Sequence, residues 1–91
     1  MANFELLKEL TQAWGVAGRE KRGRAVILRE LEGLADQAYV DNIGNVIALK
    51  WGRGGPEGKR IMLSAHMDEI GLQVKKIEGD GRIRVRNVGW V

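Results

Sequence analysis

The chain has 91 residues, of which 44% are hydrophobic, and this length allows one small domain with a thin core. Fifteen basic residues against twelve acidic ones give a net charge of +3. Because the two signs are interspersed, this charge indicates a soluble surface more directly than it indicates a charged binding partner. The absence of cysteine excludes a disulfide framework and a thiolate metal site. With neither a membrane span nor the apolar core of a signal peptide in its sequence, we expect a cytoplasmic protein without a membrane partner.

The first third of the chain predicts two amphipathic helices. Phe4–Trp14 carries leucines at helical spacing, with Asn3 available as an N-cap and Gly15 just past the end. Glu20–Leu34 combines an apolar stripe with a charged face. The Gly15–Gly18 linker is a turn signal that separates the two helices.

The next segments have the alternation and composition of strands. Ala38–Asp41 and Val46–Trp51 flank Asn42–Asn45, whose residues tolerate positive φ, so this part predicts a hairpin. The glycine-rich stretch Gly52–Gly58 is a connector, because it lacks the Gly-Lys-Ser/Thr ending of a phosphate loop. Arg60–Ala65 is mostly apolar and predicts a strand that is buried on both faces. Helices followed by strands place this chain in the α+β class.

A second hairpin is predicted from Leu72–Ile77 and Arg82–Val88, which surround the turn Glu78–Gly81. Its return strand alternates arginine with aliphatic residues, so that one face is basic and the other apolar. A solvated strand face is the plainer interpretation of these arginines. A nucleic-acid platform would also need exposed aromatics for stacking, and only Trp90 is nearby.

His66 and Asp68 form the most informative pattern in the chain, at the predicted end of the Arg60–Ala65 strand. A carboxylate that holds one ring nitrogen of a histidine fixes its tautomer and prepares the other nitrogen to bind a metal. The plainer alternative is a polar histidine at a sheet edge. A catalytic zinc needs about three protein ligands, so the others would have to be carboxylates or residues beyond Val91. Strand alternation directs Met67 and Glu69 to the opposite side, and we predict structural roles for both.

Two motifs together resemble a known family. They are the turn Asp41-Asn42-Ile43-Gly44-Asn45 and the segment His66-Met67-Asp68-Glu69-Ile70-Gly71. In this order, after a helix pair, they resemble the N-terminal portion of the tetrahedral, or glutamyl-type, metallo-aminopeptidases, a family that includes members formerly labelled cellulase or endoglucanase. The resemblance extends from the first helix to Trp90.

The resemblance implies a fold, a site and an activity. Residues 1–70 would be the N-terminal part of the metallopeptidase catalytic domain, an α/β fold with a mixed sheet, and residues 71–91 the start of an inserted β domain, truncated at its first hairpin. His66 would be a metal ligand, and Asp68 the carboxylate of the catalytic site that orients it. The full-length protein would use two divalent metal ions, zinc or cobalt, to hydrolyse N-terminal residues from peptides, as a homo-oligomer without nucleic acid.

The remaining ligands of such a site are missing from this sequence. We therefore expect the 91-residue chain to be a fragment of a longer protein, to be inactive alone and to be able to exist without a bound metal. The alternative is a complete, small, basic α+β binding module that recognises a protein or a nucleic acid without catalysis.

Overall fold

Two helices are followed by two antiparallel strand pairs in the structure, a computed structural model that describes residues 3–90. The elements in chain order are α1 (Phe4–Gln12), α2 (Lys21–Leu31), β1 (Gln37–Val40), β2 (Val46–Leu49), a short 3-10 helix (Gly55–Glu57), β3 (Gly71–Ile77) and β4 (Ile83–Val88). The α+β class and the predicted order of two helices followed by two hairpins are confirmed.

The helix boundaries follow from local hydrogen bonds. α1 begins where the side chain of Asn3 accepts a hydrogen bond from the backbone N–H of Leu6 at 3.1 Å, as predicted for an N-cap. Both helices end earlier than predicted, at Gln12 and Leu31. After Leu31 the chain turns back on the helix, and Gly33 adopts a φ of +75° that favours glycine and ends α2.

An ion pair joins the two helices. Arg29 on α2 donates to both carboxylate oxygens of Glu9 on α1, at 2.7 and 2.6 Å, and also to Glu30. The hydrogen bond from Arg29 holds the pKa of Glu9 below its usual range, and Glu9 in turn raises the pKa of Arg29. The pair is exposed, so its contribution to stability is small and decreases with salt.

The hairpin formed by β1 and β2 contacts α2 through β2. Its register pairs Gln37 with Leu49 and Val40 with Val46, as expected for the turn between them. Val26 of α2 is the one buried hydrophobic side chain among the described residues, with 8% of its surface exposed. The core is therefore thin, as predicted, and it is thinner than chain length alone requires, because the accessible surface is 8423 Å² whereas a compact monomer of this mass would have about 5,300 Å².

The second hairpin, formed by β3 and β4, pairs Gly71 with Val88 and Ile77 with Ile83, with an irregularity between Val74 and Lys76. In the described residues one parallel β-bridge, between Val16 and Glu69, joins the start of this hairpin to the linker between the helices. The molecule is elongated as a result. Its radius of gyration is 17.9 Å, whereas a compact chain of this length would have about 12 Å.

The predicted strand Arg60–Ala65 is wrong for this structure. The segment has no strand hydrogen bonds, and Ile61, Met62 and Leu63 are 89, 87 and 93% exposed. An apolar strand needs neighbouring strands for its backbone groups and covering elements for its side chains, and residues 3–90 place neither beside it. Neither helix in this range has the length and apolar content needed to cross a membrane.

Candidate metal centre

His66 and Asp68 lie together, as their spacing predicted. The Nδ1 atom of His66 is 2.9 Å from Oδ1 of Asp68. When Nδ1 carries the proton it donates to this carboxylate, and Nε2 is left with a lone pair. The imidazole is 86% exposed while Asp68 is 37% exposed, so the free ring nitrogen is open to a ligand from solvent.

The residues that alternate with this pair hold the segment in place. The side chain of Met67 packs over Gly23 of α2, where a β carbon would lie 3.6 Å from Met67 Cγ. Glu69 bonds to Gly15 in the linker between the helices, through both its backbone N–H and its carboxylate. These contacts agree with the structural roles predicted for Met67 and Glu69.

A groove of about 560 Å³ adjoins the pair. Apolar side chains of α2 and β2 line one wall, including Ile27, Leu31 and Ile47, and the segment from Met62 to Asp68 forms the other. The turn Ile43–Asn45 also borders this groove. Both motifs that carry the family resemblance therefore meet at one place.

Asp41 fixes the conformation of that turn. Its carboxylate accepts hydrogen bonds from the backbone N–H groups of Ile43 and Asn45 at 3.1 and 2.8 Å, and from the side chain of Asn45 at 2.8 Å. The bond from the Asn45 side chain, with help from the backbone bonds, lowers the pKa of Asp41. Gly44 adopts a φ of +93°, and its carbonyl accepts a hydrogen bond from Arg24 Nε, which ties the turn to α2.

The donor set of this centre fits a single metal ligand. His66 offers an oriented imidazole nitrogen, which is the commonest protein ligand for zinc. Within residues 3–90, no three His, Asp or Glu side chains come close enough to hold a metal ion. The geometry therefore supplies one ligand and the carboxylate behind it.

The arginines of β4 do not form an open basic platform. Arg84 donates to Glu78, Arg86 to Gln73, and Arg82, which precedes the strand, to Asp80. Trp90 is fully exposed but stands alone near them. This pairing corresponds to a solvated strand face.

Sequence reasoning missed two of these contacts. Glu69 and Gly15 are far apart in the chain, and no local pattern signals that they pair. The bond between Arg24 and Gly44 likewise joins a helix to a distant turn. In contrast, the contacts between His66 and Asp68, and within the Asp41 turn, span only a few residues, and their spacing could be read from the sequence.

Residues 44–91 match a family described as M42 glutamyl aminopeptidase. A lysyl aminopeptidase from Pyrococcus furiosus is 39% identical over 92 aligned residues, which cover 100% of this chain and 25% of that protein. The chain spans about a quarter of the length of the curated relatives it matches.

Solved structures give the same result. A crystal structure of an endoglucanase from Thermotoga maritima is similar with a TM-score of 0.80 and 48% identity, covering 93% of this chain and 27% of that one. A dodecamer called PhTET1-12s has a TM-score of 0.78 and 43% identity, covering 100% of this chain and 26% of that one. These comparisons lend no support to the binding-module alternative. With the family match extending over more than half of its residues, the chain belongs to the M42 glutamyl aminopeptidase family.

Proposed function

We propose that this chain contributes the first metal ligand of an aminopeptidase that hydrolyses N-terminal residues from peptides. The observation that carries the proposal is the hydrogen bond of 2.9 Å between His66 and Asp68, with the ring exposed, in a chain of an aminopeptidase family. His66 is the proposed ligand. Asp68 is the proposed carboxylate of the catalytic site that orients it.

The chemistry assigned to these two residues follows from their protonation. Asp68 retains the proton of the imidazole on Nδ1, so that Nε2 presents its lone pair to a ligand. Two divalent metal ions, zinc or cobalt, would supply an activated water and polarise the scissile carbonyl when bound. The part of the site in this chain thus orients one ligand and prevents its ring from rotating.

The other ligands would come from residues that this sequence does not contain, either in a longer chain or in a second polypeptide. We accordingly propose that the 91-residue chain is inactive alone. In this proposal residues 1–70 belong to the catalytic domain and residues 71–91 open an inserted β domain. The pairing of β3 with β4 supports that division, since in the described residues the two strands hydrogen bond as a sheet only to each other.

The proposal extends to assembly and location. A homo-oligomer is supported by the dodecameric relative, and by the exposed apolar residues that a partner surface would cover. Peptides are the proposed substrates, and neither nucleic acid nor membrane has a role. A cytoplasmic location is consistent with a sequence that contains no cysteine.

The test begins with the intact mass of the protein from its source, which gives its native length. Protein of that length is then assayed on peptides with a free amino terminus and on the same peptides acetylated at that terminus. The His66→Ala variant should lose turnover with little change in melting temperature, because the side chain is exposed. Lys59→Ala removes an exposed side chain from the same segment and should keep the turnover of the wild type. Undiminished turnover in His66→Ala would refute the assignment.

A further inference from the structure

The segment that carries His66 and Asp68 is held to the rest of the molecule at few points. From Arg60 to Asp68 the described chain makes no backbone hydrogen bond with another backbone group, and most of its side chains are exposed. The side chain of Met67 lies against Gly23 of α2. The first hydrogen-bonded anchor after this stretch is Glu69.

Glu69 forms a two-point contact with Gly15. Its backbone N–H donates to the carbonyl of Gly15 at 2.9 Å, and its Oε1 accepts from the N–H of Gly15 at 3.0 Å. Gly15 is buried, and a β carbon there would lie 3.0 Å from the carbonyl oxygen of Arg19 and 3.1 Å from Glu20 Cα. The linker between the helices is therefore closely packed at Gly15. The buried N–H group of Gly15 has its hydrogen-bond partner in the Glu69 carboxylate.

We infer that Glu69 is a positioning residue for the His66–Asp68 pair. The inference rests on the proposed function, because it assigns Glu69 a purpose in that site. Only one residue separates the anchor from Met67, so rotation of the backbone at residue 69 would displace both the packing of Met67 and the direction of Asp68. The contact with the Gly15 N–H requires an oxygen that accepts a hydrogen bond, but it does not require a negative charge.

The variants follow from that requirement. Glu69→Ala removes the acceptor, whereas Glu69→Gln keeps an amide oxygen that can accept the same bond from Gly15. Glu57→Ala removes an exposed carboxylate elsewhere and serves as the control for charge. The chain contains a single histidine, so the nitrogen NMR signals of its imidazole report on His66 alone.

In Glu69→Ala we expect faster hydrogen exchange at the Gly15 amide, and imidazole nitrogen shifts that move toward those of a free, tautomerically averaged ring. Glu69→Gln and Glu57→Ala should keep the wild-type shifts. In protein of native length, Glu69→Ala should lower kcat about tenfold with little change in KM, as for other supporting residues of metal sites, and Glu69→Gln should restore it.

The possible failures are separable. Wild-type imidazole shifts in Glu69→Ala would overturn the positioning role, whatever metal the protein binds. A loss of folding in both Glu69 variants would also overturn it, because rescue by glutamine is its signature. The proposed function fails if Zn²⁺ leaves the wild-type imidazole signals unchanged and His66→Ala retains activity in protein of native length. This conclusion would hold even if Glu69→Ala still changed the imidazole shifts of His66.

Discussion

The carboxylate of Asp41 accepts hydrogen bonds from the backbone N–H and from the side-chain amide of Asn45, each at 2.8 Å. Together with the bond from Ile43, these contacts reinforce the backbone hydrogen bonds of the turn, which run from Asp41 N–H to the Asn45 carbonyl at 3.0 Å and from Gly44 N–H to the Asp41 carbonyl at 3.1 Å. The turn borders the groove beside His66, so its conformation affects one wall of the candidate centre.

Acid should weaken this turn. The pKa of Asp41 is lowered from 3.8 in the folded chain, chiefly by the Asn45 side chain, so its ionised form is favoured by folding. The stabilisation is fully present above the unfolded pKa near 3.8 and is lost as the pH falls through the lower, folded value. In Asp41→Asn the acceptor becomes a neutral amide oxygen, which accepts weaker hydrogen bonds than a carboxylate does.

Thermal melts from neutral pH down to the acid range check this prediction. Asp41→Asn should melt below the wild type at neutral pH, and the difference should shrink in acid. Glu57→Gln, at an exposed carboxylate in the loop after β2, should leave the wild-type profile in place. A constant difference between Asp41→Asn and the wild type at every pH would contradict the assigned cause.

Asp68→Asn should reduce turnover by roughly 10- to 100-fold in protein of native length, the range found for residues that orient metal ligands. The amide can still accept a hydrogen bond from His66 Nδ1, but it can also turn its NH2 group toward the ring, so it no longer fixes the tautomer of the imidazole. Hydrolysis rates and bound metal should fall together, while the melting temperature stays close to that of the wild type. Normal activity in Asp68→Asn would remove Asp68 from the site.

The features that the sequence predicted correctly are those formed by residues close together in the chain. The capped start of α1, both hairpins and the contact between His66 and Asp68 each involve residues close together in the chain. The Arg60–Ala65 strand failed because a strand forms only where neighbours supply hydrogen bonds, and its apolar composition does not contain that information. The anchor between Glu69 and Gly15 was unpredictable for the same reason, since it depends on how two distant segments approach each other.

Gly71→Ala should destabilise the junction between the helices and the second hairpin. A β carbon at this position would overlap Cγ1 of Val16, a stiff β-branched side chain that cannot easily move away. We expect a loss of about 1–3 kcal/mol, typical of overpacking. Gly79→Ala is the matched control, because a β carbon there meets nothing within 4 Å and its φ is not positive. Chemical denaturation of the two variants should separate them, and equal stabilities would show that the junction adapts without cost.

The exposed apolar segment should make the 91-residue chain self-associate. Ile61, Met62 and Leu63 are consecutive and each at least 87% exposed, and their backbone groups lack strand partners within the described residues. Such a stretch presents both hydrophobic surface and free hydrogen-bonding groups, which is the combination that promotes association between chains.

Sedimentation velocity over a range of concentrations should show species larger than the monomer. Leu63→Lys should shift the distribution toward the monomer, since a charge is costly to bury in a paired apolar strand. Ile43→Lys, at a turn residue that is 86% exposed and lies outside the consecutive apolar run, should have little effect. A monodisperse monomer at every concentration would mean that these side chains find cover within a single chain.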